Sequence, residues 1–122
     1  KEGKQELFVV NDKLGTPTYT FDFADNVKLI LESRLWGLYN MVCEGMTGRL
    51  EVTQELLKIL ELDKKIKLTS VDSSFFEKEY FVTRPDSERL INRKLNLRKM
   101  NIMRDWKICL KEYLEDYYQD FL

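Results

Sequence analysis

The feature that most constrains this chain is a repeated switch of hydrophobic period. Short β-rich runs alternate with stretches whose apolar residues recur at helical spacing. Glu6-Leu7-Phe8-Val9-Val10 opens the pattern as a strand, and Asn11-Asp12 breaks it. Gly15 and Pro17 mark a loop, after which Thr18 or Thr20 can cap a helix. That helix carries Phe21, Ala24, Val27 and Leu31, with Phe23 and Ile30 beside them. Trp36-Gly37-Leu38-Tyr39-Asn40-Met41-Val42 reads as a second strand, buried because both of its faces are apolar. Gly45 to Gly48 reads as a turn.

The spacing then predicts a helix from Arg49 to Leu62, with Leu50 or Val52, Leu56, Ile59 and Leu60 on its apolar stripe. Glu51, Glu55, Lys58 and Glu61 fall outside that stripe. Lys65 to Val71 alternates strictly, as a half-buried strand does. Asp72 or Ser73 starts a short helical turn through Phe75 and Phe76, and a loop with Arg84-Pro85 follows. Asp86 to Met103 is polar and short-patterned. Asp105 to Leu122 is the last predicted helix, with Trp106, Cys109, Leu110, Tyr113, Leu114 and Tyr117 on one face.

Strand, helix, strand, helix, strand and closing helices argue an α/β fold, a few short strands packed with helices. No repeat, low-complexity tract or linker divides the 122 residues, so a single domain over 1–122 is expected. Three short strands make a thin sheet. That fits a piece of a longer polypeptide whose sheet and core continue elsewhere. An unpaired strand edge and uncovered apolar surface then predict self-association, by pairing strands or exchanging a helix.

Charge narrows the partners. Lys and Arg total 20 and Asp and Glu 21, which excludes a strong electrostatic footprint for nucleic acid or an anionic membrane. The apolar runs fall far short of the ~20 residues of a membrane-spanning helix, and Lys1 to Lys13 lacks the apolar core of a signal peptide. Cys43 and Cys109 have apolar flanks and no metal-ligand spacing. They read as two buried reduced thiols rather than a disulfide, as in a cytoplasmic protein. With no His in the chain, a His-dependent triad or a His-ligated zinc site is excluded.

Redox and acyl-transfer machinery is equally missing. The glycines, at positions 3, 15, 37, 45 and 48, give neither a dinucleotide fingerprint nor a Walker A spacing. None of the six tyrosines has a Lys four residues on, the spacing that would put an ammonium beside a phenol and lower its pKa. No G-x-S-x-G elbow occurs. Glu112, Glu115, Asp116 and Asp120 read as the solvated face of the last helix. The chain by itself is expected to bind no cofactor or metal and to hold no catalytic residue.

Two loops remain. In Val9-Val10-Asn11-Asp12-Lys13-Leu14-Gly15-Thr16-Pro17-Thr18-Tyr19 a strand ends and leads through a rigid turn to a helix start. Ligands of open α/β sheets lie beyond strand carboxyl ends, and helix-start N–H groups suit a phosphate or sugar oxygen. The alternative is that Gly15 and Pro17 only shape the turn. In Thr83-Arg84-Pro85-Asp86-Ser87-Glu88-Arg89-Leu90, Pro85 biases Arg84 towards an extended conformation. An Arg so held can fork onto a phosphate or carboxylate, or be a surface Arg before a turn.

These loops carry a resemblance. Val9 to Tyr19, with Asp22-Phe23-Ala24 after it, resembles the V-x-N-D-Q-x-G-x-P-T…D-L-A signature of dTDP-4-dehydrorhamnose reductases, extended short-chain dehydrogenases/reductases of nucleotide sugars. Gly37-Leu38-Tyr39-Asn40, then Gly45, resembles the family's G-x-Y-H-x-x-x-x-G. Arg84 to Leu90 with Lys94-Leu95 resembles R-P-x-x-S-x-L-x-x-x-K-L. Arg104-Asp105-Trp106 with Leu110, Tyr113 and Leu114 resembles the closing R-P-W-x-x-A-L-x-x-Y-L. Lys13 stands for the usual Gln, Asn40 for His and Asp105 for Pro.

The resemblance implies a two-part enzyme of Rossmann type. An N-terminal part binds NADPH or NADH and carries Tyr-x-x-x-Lys, whose tyrosine supplies a proton. A C-terminal part closes over the nucleotide sugar, a dTDP-deoxyhexose whose 4-keto group is reduced to give dTDP-L-rhamnose. This chain resembles the last strand and loop of the first part and most of the second. Asp12, Lys13, Thr16, Pro17 and Thr18 would border the substrate cleft. Arg84 would face the diphosphate, and Ser87 would support its segment. A non-catalytic, reductase-like interaction or regulatory subunit is the alternative of a different class, and a related nucleotide-sugar reductase or epimerase is a third.

Overall fold

A computed structural model describes residues 3, 5–78, 82 and 84–118. The ends of two expectations, Thr83 at the start of the second loop and the last helix from Gln119 to Leu122 with Asp120, lie outside these residues. The element order is β1 (Glu6–Val10), α1 (Thr20–Ser33), α2 (Arg49–Ile59), β2 (Lys67–Val71), a 3₁₀ turn (Ser73–Phe76), α3 (Arg93–Leu97) and α4 (Trp106–Tyr117).

β1 and β2 form a parallel pair in the register Glu6↔Lys67 through Val10↔Val71. α1 and α2 lie in the crossover between them, as parallel pairing requires. Both carboxyl ends therefore emerge side by side, at Val10 and Val71, and Asn11 N–H donates to Val71 O at 2.9 Å to prolong the pairing.

The expected third strand, Trp36 to Val42, is not one. Residues 35–43 have no ladder partner among the described residues, and Leu38 is 87% exposed. Side chains satisfy this backbone instead. Arg98 Nη1 donates to Leu35 O (2.8 Å), Lys94 Nζ to Leu38 O (3.2 Å), and buried Asn92 accepts from Val42 N–H (3.0 Å) while donating to Val42 O (2.7 Å). Tyr39 lies under the Lys94 and Arg98 cations. The apolar letters that suggested a buried strand belong to a loop tied down by α3 and its flanks.

α1 is also turned differently from its apolar pattern. Its buried residues are Asp22 and Asn26, whereas Phe21, Phe23 and Leu31 are exposed. Neither threonine caps it: Tyr19 is the N-cap, with no side-chain cap bond, and Thr20 is the first helical residue. Asn26 Nδ2 donates to Met100 O (2.8 Å), and Ile102 N–H donates to Asn26 Oδ1 (3.2 Å). Asp22 accepts from Arg104 through its backbone N–H and its guanidinium, down to 2.6 Å at Nη2.

α2 stops at Ile59, short of Leu62, because Glu61 takes a left-handed conformation and Leu62 N–H turns back to Leu57 O at 2.8 Å. Leu57, outside the expected stripe, is the buried residue of this helix. Asp105 caps α4 by accepting from Lys107 N–H at 2.9 Å. The core gathers Cys43, Met103, Trp106 and Cys109, against which Tyr19, Met41, Val52 and Leu110 pack. Both cysteines are free and buried, as their flanks suggested, and their Sγ atoms are 3.8 Å apart. Among the described residues no helix is long and apolar enough to cross a membrane.

Candidate functional site

The loop after β1 is held between two segments distant in sequence. Leu14 bridges Gly48 on one side and Ser87 on the other. Its N–H donates to Asp86 O, its carbonyl accepts from Glu88 N–H (both 2.9 Å), and Gly15 N–H donates to Thr47 O (3.1 Å). The first residue of α2, the Gly/Pro loop and the Arg84-Pro85 segment thus meet beyond the carboxyl ends of β1 and β2. There they enclose a cleft of about 420 Å³. A second hollow of about 550 Å³ shares Lys13, Arg49, Arg84 and Glu88 with it and reaches Ser73 and Ser74. This is where an open α/β sheet receives ligands.

Lys13 works as a clamp. Its side chain is 18% exposed, and Nζ donates to Arg84 O at 2.9 Å and to Asp86 Oδ1 at 2.8 Å. It thereby draws the Arg84-Pro85 segment onto the Gly/Pro loop. Asp12 faces the other strand end: its Oδ2 accepts from Ser73 N–H (3.1 Å) and Ser73 Oγ (2.7 Å), and these bonds hold its carboxyl below the usual range. Thr16 Oγ1 donates to Gly45 O at 2.9 Å. Ser87 Oγ accepts from Arg89 N–H at 3.4 Å, which shapes the turn after the Arg-Pro segment.

Of the expected site residues, Lys13, Thr16, Pro17 and Arg84 line the cleft together. Asp12, Thr18 and Ser87 do not line either hollow: Asp12 braces the turn after β2, and Ser87 pairs through its backbone with Leu14. Arg49 borders both hollows and was missed, because the first Arg of a polar helix reads as surface. One signal could have found it. A cation in the first helical turn opposes the helix dipole, so helix stability does not account for its placement there.

The guanidinium groups of Arg49 and Arg84 have no partner among the described residues. Two unspent cations, and apolar walls from Leu14, Pro17 and Val52, suit an anionic ester with a bulky organic part. Tyr19 lies outside the lining of both hollows. Burial, with Glu112 beside it, pushes the Tyr19 phenol up to about 12. Glu112, read as solvated, is instead bonded to Arg104 at 2.5 Å, which holds its carboxyl below the usual range. Among the described residues no group of three or more His, Cys, Asp or Glu could hold a metal ion.

Comparison with known proteins agrees with this architecture. The family described as RmlD substrate binding domain matches residues 1–119. The spore coat polysaccharide biosynthesis protein SpsK of Bacillus subtilis is 31% identical over 115 residues, which cover 94% of this chain and 38% of SpsK. A dTDP-4-dehydrorhamnose reductase from Clostridium acetobutylicum superposes with a TM-score of 0.82 at 30% identity, over 92% of this chain and 39% of that enzyme. The dTDP-4-dehydrorhamnose reductase of Bacillus anthracis in complex with NADP shares the fold at a TM-score of 0.81 and 20% identity, over 93% of this chain and 38% of its own. The chain therefore spans somewhat over a third of the length of these relatives. With two of its motifs converging on one cleft and the family match running almost from end to end, the chain belongs to the RmlD substrate binding domain family.

Proposed function

We propose that this chain is the nucleotide-sugar-binding lobe of a dTDP-4-dehydrorhamnose reductase, in which a dTDP-linked 4-keto-6-deoxyhexose is reduced with NADPH. The observation that carries the reading is the Lys13 clamp, which brings the Gly/Pro loop and the Arg84 segment to one cleft at the carboxyl ends of a parallel strand pair. The likeness to the reductases, one of them holding NADP, supports the substrate class and the cofactor.

Neither glycine of the cleft fits the pyrophosphate of the cofactor. Near the cleft, Gly15 faces open space, and a Cβ at Gly48 would meet Lys13 O at 3.2 Å, so neither forms a cradle for a pyrophosphate. In this proposal the hydride and proton donors belong to polypeptide outside these 122 residues. The chain's own part is to bind and orient. Arg84 provides charge for the diphosphate, Thr16 and Pro17 border the sugar side, and the Leu14 bridges hold the walls at fixed spacing.

Arg84→Ala should weaken binding of a dTDP-sugar by ~1.5–3 kcal/mol, roughly 10- to 150-fold, through loss of a charge-assisted bond. Calorimetry on the purified protein measures this, and unchanged affinity would remove Arg84 from the site. Loss of nicotinamide absorbance with the full-length protein, NADPH and the 4-keto sugar nucleotide tests the reaction.

A further inference from the structure

We infer that Arg49 is a second phosphate-binding group of this cleft and that, with Arg84, it selects a diphosphate over a monophosphate. The inference rests on the nucleotide reading above and adds to it a residue that none of the recognised motifs contains. Three observations meet at Arg49. It borders both hollows, together with Lys13, Arg84 and Glu88. Its guanidinium has no partner among the described residues, and neither does that of Arg84. It also occupies the first position of α2, where the preceding Gly48 N–H is already satisfied by Glu51 Oε2 at 2.9 Å and a cation works against the helix dipole. A residue placed against local helix preference on a cleft wall marks a functional demand.

Lys13 is already engaged: its ammonium donates to Asp86 Oδ1 and to the Arg84 carbonyl, and Asp86 offsets its charge. Glu88 is the carboxylate of the first cleft and repels anions, and the second hollow adds Glu77, which leaves the first cleft as the place for an anion. One guanidinium set against Glu88 leaves little net attraction for a phosphate, whereas two leave a positive centre suited to two linked phosphates. Guanidinium groups engage such oxygens in bidentate fashion, which an ammonium cannot reproduce.

The test compares dTDP and dTMP binding by calorimetry in the wild-type protein, Arg49→Ala, Arg49→Lys and Arg84→Ala. The expected result is that wild type prefers dTDP by about tenfold or more. Arg49→Ala should lose most of that preference, with dTDP weakened roughly tenfold and dTMP less than about threefold, and Arg49→Lys should fall between. The melting temperature of Arg49→Ala should hold or rise, since an unfavourable dipole contact is removed. A dTDP affinity unchanged in Arg49→Ala but weakened in Arg84→Ala overturns the inference and leaves the nucleotide reading standing. Equal weakening of dTDP and dTMP in Arg49→Ala also overturns the selectivity. Wild-type protein that binds neither nucleotide, or binding indifferent to both arginines, overturns the nucleotide reading and the inference with it.

Discussion

Replacing Arg104 by Ala tests the contact that joins the two ends of the molecule. Asp22 in α1 has a side chain only 7% exposed, and Arg104 supplies its backbone N–H, Nε and Nη2 to the two carboxylate oxygens, with Cys109 Sγ adding a weak bond at 3.4 Å. Stranding a buried carboxylate typically costs about 3–5 kcal/mol. Arg104 is itself 39% exposed, so water can enter where its side chain lay, and the expected loss is about 2–3 kcal/mol. For a domain of this length that corresponds to a fall in Tm of about 8–12 °C.

The pH dependence fixes the cause. Hydrogen bonds from Arg104 hold the Asp22 carboxyl below its ordinary value. A depressed carboxyl adds stability above its unfolded pKa, about 3.9, and that stability is lost as pH falls through the lower folded value. In Arg104→Ala the buried carboxyl has no cation, its folded pKa moves up, and protonation relieves the strain. The stability gap between the two proteins, from urea unfolding, should therefore narrow as pH falls from about 7 and go on closing below about pH 4, through the lowered folded value of Asp22. A gap under about 1 kcal/mol at pH 7, or one constant across that range, would refute the reasoning.

Three further outcomes follow from other contacts. Gly45 has φ +93°, and a Cβ there would lie 2.8 Å from Trp106 Cδ1 and 2.9 Å from Asp105 Oδ2, so Gly45→Ala should cost about 2–4 kcal/mol in urea unfolding; a loss below about 1 kcal/mol would contradict it. Burial, aided by neighbouring Cys43 and Asp22, pushes the Cys109 thiol up to about 12, so a disulfide-exchange reagent at about pH 8 should count two thiols only after denaturant is added; reaction of the native protein within minutes speaks against a sealed pair. The 122-residue chain leaves Phe21, Phe23 and Leu31 exposed along α1, and sedimentation should show self-association rising with concentration; a strictly monomeric profile at high concentration would oppose this.

The sequence revealed period well and burial direction poorly. β1 and β2 stood out because few local structures besides a strand produce alternation or β-rich character in so short a run, and the 3₁₀ turn at Ser73–Phe76 announced itself through Asp72 and Ser73. Trp36 to Val42 misled because hydrophobicity records an avoidance of water without naming the partner, and here side chains of Asn92, Lys94 and Arg98 take the place of a neighbouring strand. α1 misled for a related reason: its two buried residues are polar, and these, Asp22 and Asn26, are bound to Arg104 and to the backbone of Met100 and Ile102. Lys13 and Arg84 were legible from their loops, but their contact across 71 positions was not. Arg49 lay unseen because only the fold turns the start of α2 towards those loops.

Leu14 meets Gly48 and Ser87 at once, so the cleft walls are assembled by pairings 34 and 73 positions apart in the chain. A peptide copying residues 9–24 would carry the whole stretch that resembles the signature and still have no hollow to offer a ligand. If the cleft binds a nucleotide as proposed, its affinity would report that these remote stretches have already found each other.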